Sequence, residues 1–165
     1  MMATRRAAAC ALCLVLGGAV VVAQDEASPG QPDLVVGAWQ LDAAKSHYSP
    51  GPAPLREIRT YEHEHEGIRV TIHTTDARGQ ERMIEYAASY NDVVAIVTGS
   101  DQTDAITMRR INDTTARATL SYQGRVVGTA ERVIAPDGQS MTITFKREAP
   151  TPIENVAVYR RVTAN

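Results

Sequence analysis

The sequence predicts an all-β domain: a single antiparallel, mostly up-and-down β-barrel or strongly curved sheet of about eight to ten strands. Three observations carry this. Turn signals recur about every 9 to 14 residues, at Glu66-Gly67, Asp76–Gly79, Asn91-Asp92, Gly99–Asp101, Asn112-Asp113, Gln123-Gly124, Pro136-Asp137-Gly138 and Ala149–Pro152. Between them lie runs rich in β-branched and aromatic residues: Ile58–His65, Ile68–Thr75, Glu81–Ala87, Val93–Thr98, Ala105–Ile111, Thr115–Tyr122, Arg125–Ala135, Met141–Arg147 and Val156–Val162, preceded by a first strand at Gly37–Leu41. Downstream of residue 23 no window of helical length repeats its apolar residues at period 3.6, and only Ala43–His47 reads as a single helical turn.

The chain opens on a different pattern. Arg5 and Arg6 precede an uncharged run from Ala7 to Ala23, small side chains stand at Val21 and Ala23, and charge resumes at Asp25 and Glu26. This is the layout of a secretory signal peptide over residues 1–23, with an uncleaved anchor as the alternative. Residues 24–33 are polar and rich in Pro, Gly and Ser, a flexible leader, and residues 34–165 form the β-barrel domain. The expected location is outside the cytoplasm, periplasmic or extracellular. Cleavage would leave 142 residues, enough for one core, and would remove both cysteines, Cys10 and Cys13. The mature chain then has no disulfide, thiol nucleophile or thiolate metal site. Losing Arg5 and Arg6 takes the net charge from −2 to −4, and no basic cluster longer than two residues remains, which argues against a nucleic-acid partner. No second long apolar stretch is present, so the mature chain is not expected to span a membrane.

Side chains two apart along a strand share a face. Ile106, Met108 and Arg110 form one such face; Ala116, Ala118, Leu120 and Tyr122 a second; Val126, Gly128, Ala130, Arg132 and Ile134 a third; Met141, Ile143 and Phe145 a fourth. A three-residue loop at Gln123-Gly124 and a four-residue or tight turn at Asp137-Gly138 would align them into one apolar wall holding Arg110 and Arg132. At the other end of the domain, a two-residue turn at Glu66-Gly67 pairs Glu64 with Arg69 and puts Tyr61, His63 and His65 on the face of Ile68, Val70 and Ile72. A one-residue slip would reverse that assignment.

No Gly-x-Ser-x-Gly, phosphate-binding glycine loop or His-Glu-x-x-His occurs, and no carboxylate pair is marked out, so the sequence gives no sign of an enzyme and implies no cofactor. His63 and His65 sit two apart on a strand and could share a metal ion, or could simply belong to a polar half-exposed strand. An arginine inside a barrel needs a partner. For Arg110 and Arg132 that partner is either an internal carboxylate or the acid group of a bound ligand.

The stretch Gly37–Ser46 (GAWQLDAAKS) with Ser49–Pro54 (SPGPAP), together with Val97-Thr98-Gly99, Arg109-Arg110-Ile111, Val126-Val127-Gly128-Thr129, Arg132-Val133, Asp137–Thr142 (DGQSMT) and Asn155–Tyr159 (NVAVY), resembles a family of small exported bacterial proteins of unassigned function, described as lipocalin-like. The match covers nearly the whole mature chain. Lipocalins open with Gly-x-Trp, as Gly37-Ala38-Trp39 does, and pack this Trp at the closed end of the barrel beneath an Arg from a late strand, a part that Arg160 or Arg161 would play. Their other signatures and disulfide cysteines are absent. The resemblance implies a lipocalin-like, calycin-type barrel with a cup-shaped cavity. The leading expectation is therefore binding of a small apolar or amphipathic ligand, with Tyr86, Met108, Arg110, Tyr122, Arg132 and Phe145 as lining residues. The alternatives are an envelope interaction module with a filled core, or a metal-binding barrel using His63 and His65.

Overall fold

Apolar alternation and short polar turns produce a run of antiparallel strands: β1 (Gly37–Leu41), β2 (His47–Ser49), β3 (Arg56–Glu64), β4 (Gly67–Thr75), β5 (Glu81–Ser89), β6 (Ala95–Thr98), β7 (Ala105–Arg110), β8 (Thr115–Tyr122), β9 (Arg125–Ile134), β10 (Ser140–Arg147) and β11 (Ile153–Val162). The computed structural model describes residues 33–148 and 150–162. The expected signal peptide, and the leader up to residue 32, lie outside the described residues.

Ten strands close into an antiparallel barrel in the order β1-β3-β4-β5-β6-β7-β8-β9-β10-β11. Closure comes from β1, which pairs with β3 on one side and with the end of β11 on the other (Trp39 opposite Arg59 and Arg161). The barrel is all-β and antiparallel, as the strand and turn pattern predicts, and is consistent with the lipocalin-like barrel that the resemblance implies. A single 3-10 turn at Ala43–Lys45, capped by the Asp42 carboxylate accepting from the Lys45 amide at 3.3 Å, stands where a helical turn was expected. It leads into β2, a short strand absent from the sequence reading, which continues along β11 beyond β1 (Tyr48 opposite Asn155).

Turn chemistry explains the hairpins. The Asp76 carboxylate accepts from the Arg78 and Gln80 amides at 2.8 and 2.9 Å between β4 and β5. The Asn112 side chain does the same for Thr114 and Thr115 at 3.0 and 2.8 Å between β7 and β8.

Two registers differ from expectation while the faces survive. Between β3 and β4 the turn is His65-Glu66, with Glu64 opposite Gly67 and Tyr61 opposite Val70. The pairing has slipped by two residues, which keeps parity, so Tyr61 still faces inward with Ile68, Val70 and Ile72. The reason lies at Gly67: a Cβ there would come within 2.1 Å of the Ala88 carbonyl oxygen, so this glycine is needed inside the ladder, against β5. Between β8 and β9 the loop is a two-residue turn, Gln123-Gly124 with φ of 50° and 74°, and a bulge between Leu120 and Ser121 restores the parity that a three-residue loop was expected to supply. Ala116, Ala118 and Leu120 therefore lie opposite Arg132, Ala130 and Gly128. Val126 lies beyond the bulge and is 67% exposed, so it leaves the inner face assigned to it.

One end of the barrel is closed by Trp39, fully buried with Val35, whose carbonyl accepts from the indole Nε1 at 2.7 Å. The Arg161 guanidinium stacks 4.2 Å from the Trp39 ring and donates to the carbonyls of Val36 and Gly138, both at 2.7 Å, and of Leu34. Of the two late arginines, Arg161 thus takes the position over the tryptophan, while Arg160 faces outward and donates to Gln40. Arg161→Met strands three carbonyls. It should lower stability by about 2–4 kcal/mol, with a red shift in the emission of Trp39, the sole tryptophan; urea denaturation followed by fluorescence reads both.

Candidate functional site

One stretch of the inner wall, on β8, β9 and β11, is built from small side chains. Ala116, Ala118, Ala130 and Ala157 line it, and Gly128 carries the Phe145 ring directly on its backbone, where a Cβ would meet the ring at 2.7 Å. Ten strands enclose more space than these residues fill, and a cavity of about 290 Å³ runs through the middle of the barrel. At roughly 30 Å³ per water, it has room for about ten waters or a small organic molecule.

The cavity has an apolar end and a polar waist. Met108, Ile106, Leu120, Val97 and Phe145 supply apolar surface. The waist is phenolic and cationic. Glu57, buried on β3, accepts from Arg59 Nε at 2.7 Å, from the Tyr159 hydroxyl at 2.6 Å and from the Thr74 hydroxyl at 3.1 Å. Burial alone would raise the Glu57 pKa, but the Arg59 charge and these hydrogen bonds outweigh it and hold the carboxyl below its ordinary value. Burial drives the phenols of Tyr86 and Tyr159 upward, so both stay protonated.

Arg132 is 8% exposed and lines the cavity. Its Nη2 donates to the Tyr90 hydroxyl at 2.8 Å, and its guanidinium lies 5.4 Å from the Tyr61 ring and 5.7 Å from the Tyr90 ring. Its Nε is buried with no hydrogen-bond partner among the described residues. The Tyr90 hydroxyl donates in turn to Asp33 Oδ2 at 2.7 Å, and the same oxygen accepts from Arg110 Nη2 at 2.6 Å. Arg110 is therefore answered by an internal carboxylate, the first of the two alternatives, and Arg132 by a neutral phenol. Asp33, assigned from sequence to the flexible leader, is buried at the barrel end; its amide-to-carboxylate turn with Val35 (3.2 Å) and its two side-chain donors hold it there. Burial pushes its pKa up, yet the hydrogen bonds from Tyr90 and the Val35 amide, with the charges of Arg110 and Arg132, bring it below the ordinary value.

Of the expected lining residues, Tyr86, Met108, Arg132 and Phe145 meet around the cavity. Arg110 sits instead in the ion pair with Asp33, outside the cavity lining. Tyr122, the last residue of β8, also stays out of the lining, which reaches along that strand only to Leu120. Glu57, Arg59, Tyr61 and Tyr159 were missed, although the parity that turns Tyr61 inward also turns in Arg59 and Glu57. His63 is exposed at the end of β3, and His65 lies in the turn with φ of 44°, so the two imidazoles do not share a strand face as the metal reading required. Among the described residues no group of three or more His, Cys, Asp or Glu is placed to hold a metal, and no helix is long and apolar enough to cross a membrane. No family model matches this chain, and neither does any curated protein.

Asp33→Asn removes the counter-ion of Arg110 and should cost about 1–3 kcal/mol at pH 7. Because the folded-state pKa of Asp33 is depressed, its contribution is complete above the unfolded carboxylate value of about 3.9 and disappears as pH falls through the lower folded value. The stability gap between the two proteins in urea melts should thus begin to close only below about pH 4, and vanish once the pH has fallen past the lower folded-state value.

Proposed function

We propose that this chain is an exported lipocalin-like protein that holds a small amphipathic molecule in its barrel cavity. The observation that carries the reading is a closed barrel whose interior is left unfilled and whose apolar wall is interrupted by one polar waist. Ligand sites combine those features: apolar area supplies affinity, and a few fixed polar groups supply orientation. Among the residues that bound the space, Ala118, Ala130 and Ala157 are small where larger aliphatic side chains would have filled a core, and an unfilled core forfeits packing energy. The signal-peptide pattern over residues 1–23 supports a place of action outside the cytoplasm. The carboxylate in the lining, Glu57, has its oxygens engaged by three donors, which supports retention of a ligand over chemistry on it.

A second reading, an interaction module, draws support from the outer face of β6, where Ile96 and the preceding Val94 are 70% and 64% exposed. Native mass spectrometry of protein purified from its own envelope separates the two. The cavity reading expects a small co-purified mass that leaves on organic extraction and returns when the extracted protein is exposed to envelope lipids. A bare protein that takes up nothing, or one recovered with a defined partner chain and an empty interior, overturns it.

A further inference from the structure

The charges inside the barrel do not balance. Arg59 has Glu57, with Nε to Oε1 at 2.7 Å, and Arg110 has Asp33, with Nη2 to Oδ2 at 2.6 Å. Arg132 has a phenol hydroxyl and the faces of two rings. Ring faces attract a cation by about 0.5–2 kcal/mol but cancel none of its charge. A lysine or histidine in this place could lose its proton; a guanidinium cannot. Burial of a charge without an opposite charge is among the costliest arrangements a protein tolerates. The waist also leaves a donor idle: Arg132 Nε is buried with no partner among the described residues.

Building on the ligand-binding reading above, we propose that the molecule held in this cavity is a small monoanionic acid, bound with its carboxylate inward against Arg132 and its apolar body toward Leu120 and Phe145. The sign follows from the unmatched guanidinium. The single charge follows from the count: one anion brings Arg59, Arg110, Arg132, Glu57 and Asp33 to neutrality, whereas a dianion would carry an excess negative charge into a low-dielectric interior that already holds two carboxylates. A carboxylate fits the planar N–H edges of a guanidinium and makes charge-assisted hydrogen bonds there. The orientation follows from the register: on the inner face Arg132 lies one step along β9 from Ala130 and two steps from Gly128, whose partners across the ladders are Phe145 and Leu120, so this side of the wall, on β8, β9 and β10, becomes apolar away from the guanidinium.

The test is a calorimetric titration of the delipidated full mature chain at pH 7.5 with octanoate, octanol and octyl phosphate. The proposal expects octanoate to bind at least tenfold tighter than either of the others, a difference of about 1.4 kcal/mol or more. In Arg132→Gln, octanoate should fall to the affinity that octanol has for the unaltered protein. Equal affinity for octanoate and octanol overturns the monoanion inference and leaves the ligand-binding reading standing. Tightest binding by octyl phosphate, close to doubly charged at this pH, also overturns it. If none of the three binds, both readings fail together.

Discussion

Three guanidinium groups point into this barrel, and a guanidinium keeps its charge at any pH a protein survives. That constraint organises the interior. Each arginine must be answered from another part of the chain: Arg59 on β3 by Glu57 and by Tyr159 from β11, Arg110 on β7 by Asp33 ahead of β1, Arg132 on β9 by Tyr90 between β5 and β6. The answers link segments 100, 77 and 42 residues apart, so they pin the closed barrel together at points the ladders alone do not reach. They also gather the charged groups of the cavity lining, Glu57, Arg59 and Arg132, with the phenols of Tyr61 and Tyr159.

The end of the barrel near Trp39 depends on the same kind of reach. Arg161 gathers three backbone carbonyls from the segment before β1 and from the β9–β10 loop, and lies flat on the indole. Asp33 enters the same region and closes the circuit from Arg110 to Tyr90 to Arg132. The segment ahead of β1 therefore does two jobs at once: it covers the core beneath Trp39, and it supplies the counter-ion that keeps Arg110 out of the cavity's charge balance. What remains for a ligand is Arg132 alone.

The strand pattern was legible because alternation and turn residues are local signals. Ten strands, the inward faces of Met108, Ala118, Ala130, Ile143 and Phe145, and the arginines on that wall all follow from residues two apart. Long-range partners were not legible. Nothing in the Pro- and Gly-rich run before Leu34 marks Asp33 as buried, and its bond to Arg110 crosses 77 residues. Val126 was assigned to the inner face because a bulge leaves no fixed trace in sequence. His65 was placed in a strand because β-propensity does not reveal that its neighbour Gly67 is needed in the ladder against Ala88. The Glu57–Arg59 pair was within reach, since the face of Tyr61 includes both, but charged residues near a strand end read first as solvent-facing.

The account stands or falls on Arg132 being a binding group and not a structural pair. Its protein partner is neutral, and Tyr90 keeps its bond to Asp33 when the guanidinium is gone. Urea denaturation of the ligand-free protein against Arg132→Met measures this directly. The account predicts a variant as stable as the unaltered chain or more so, because an unmatched buried charge has been replaced by apolar volume. A loss of roughly 3–5 kcal/mol, the usual consequence of breaking a buried ion pair, would contradict it and make Arg132 part of the fold's own charge network.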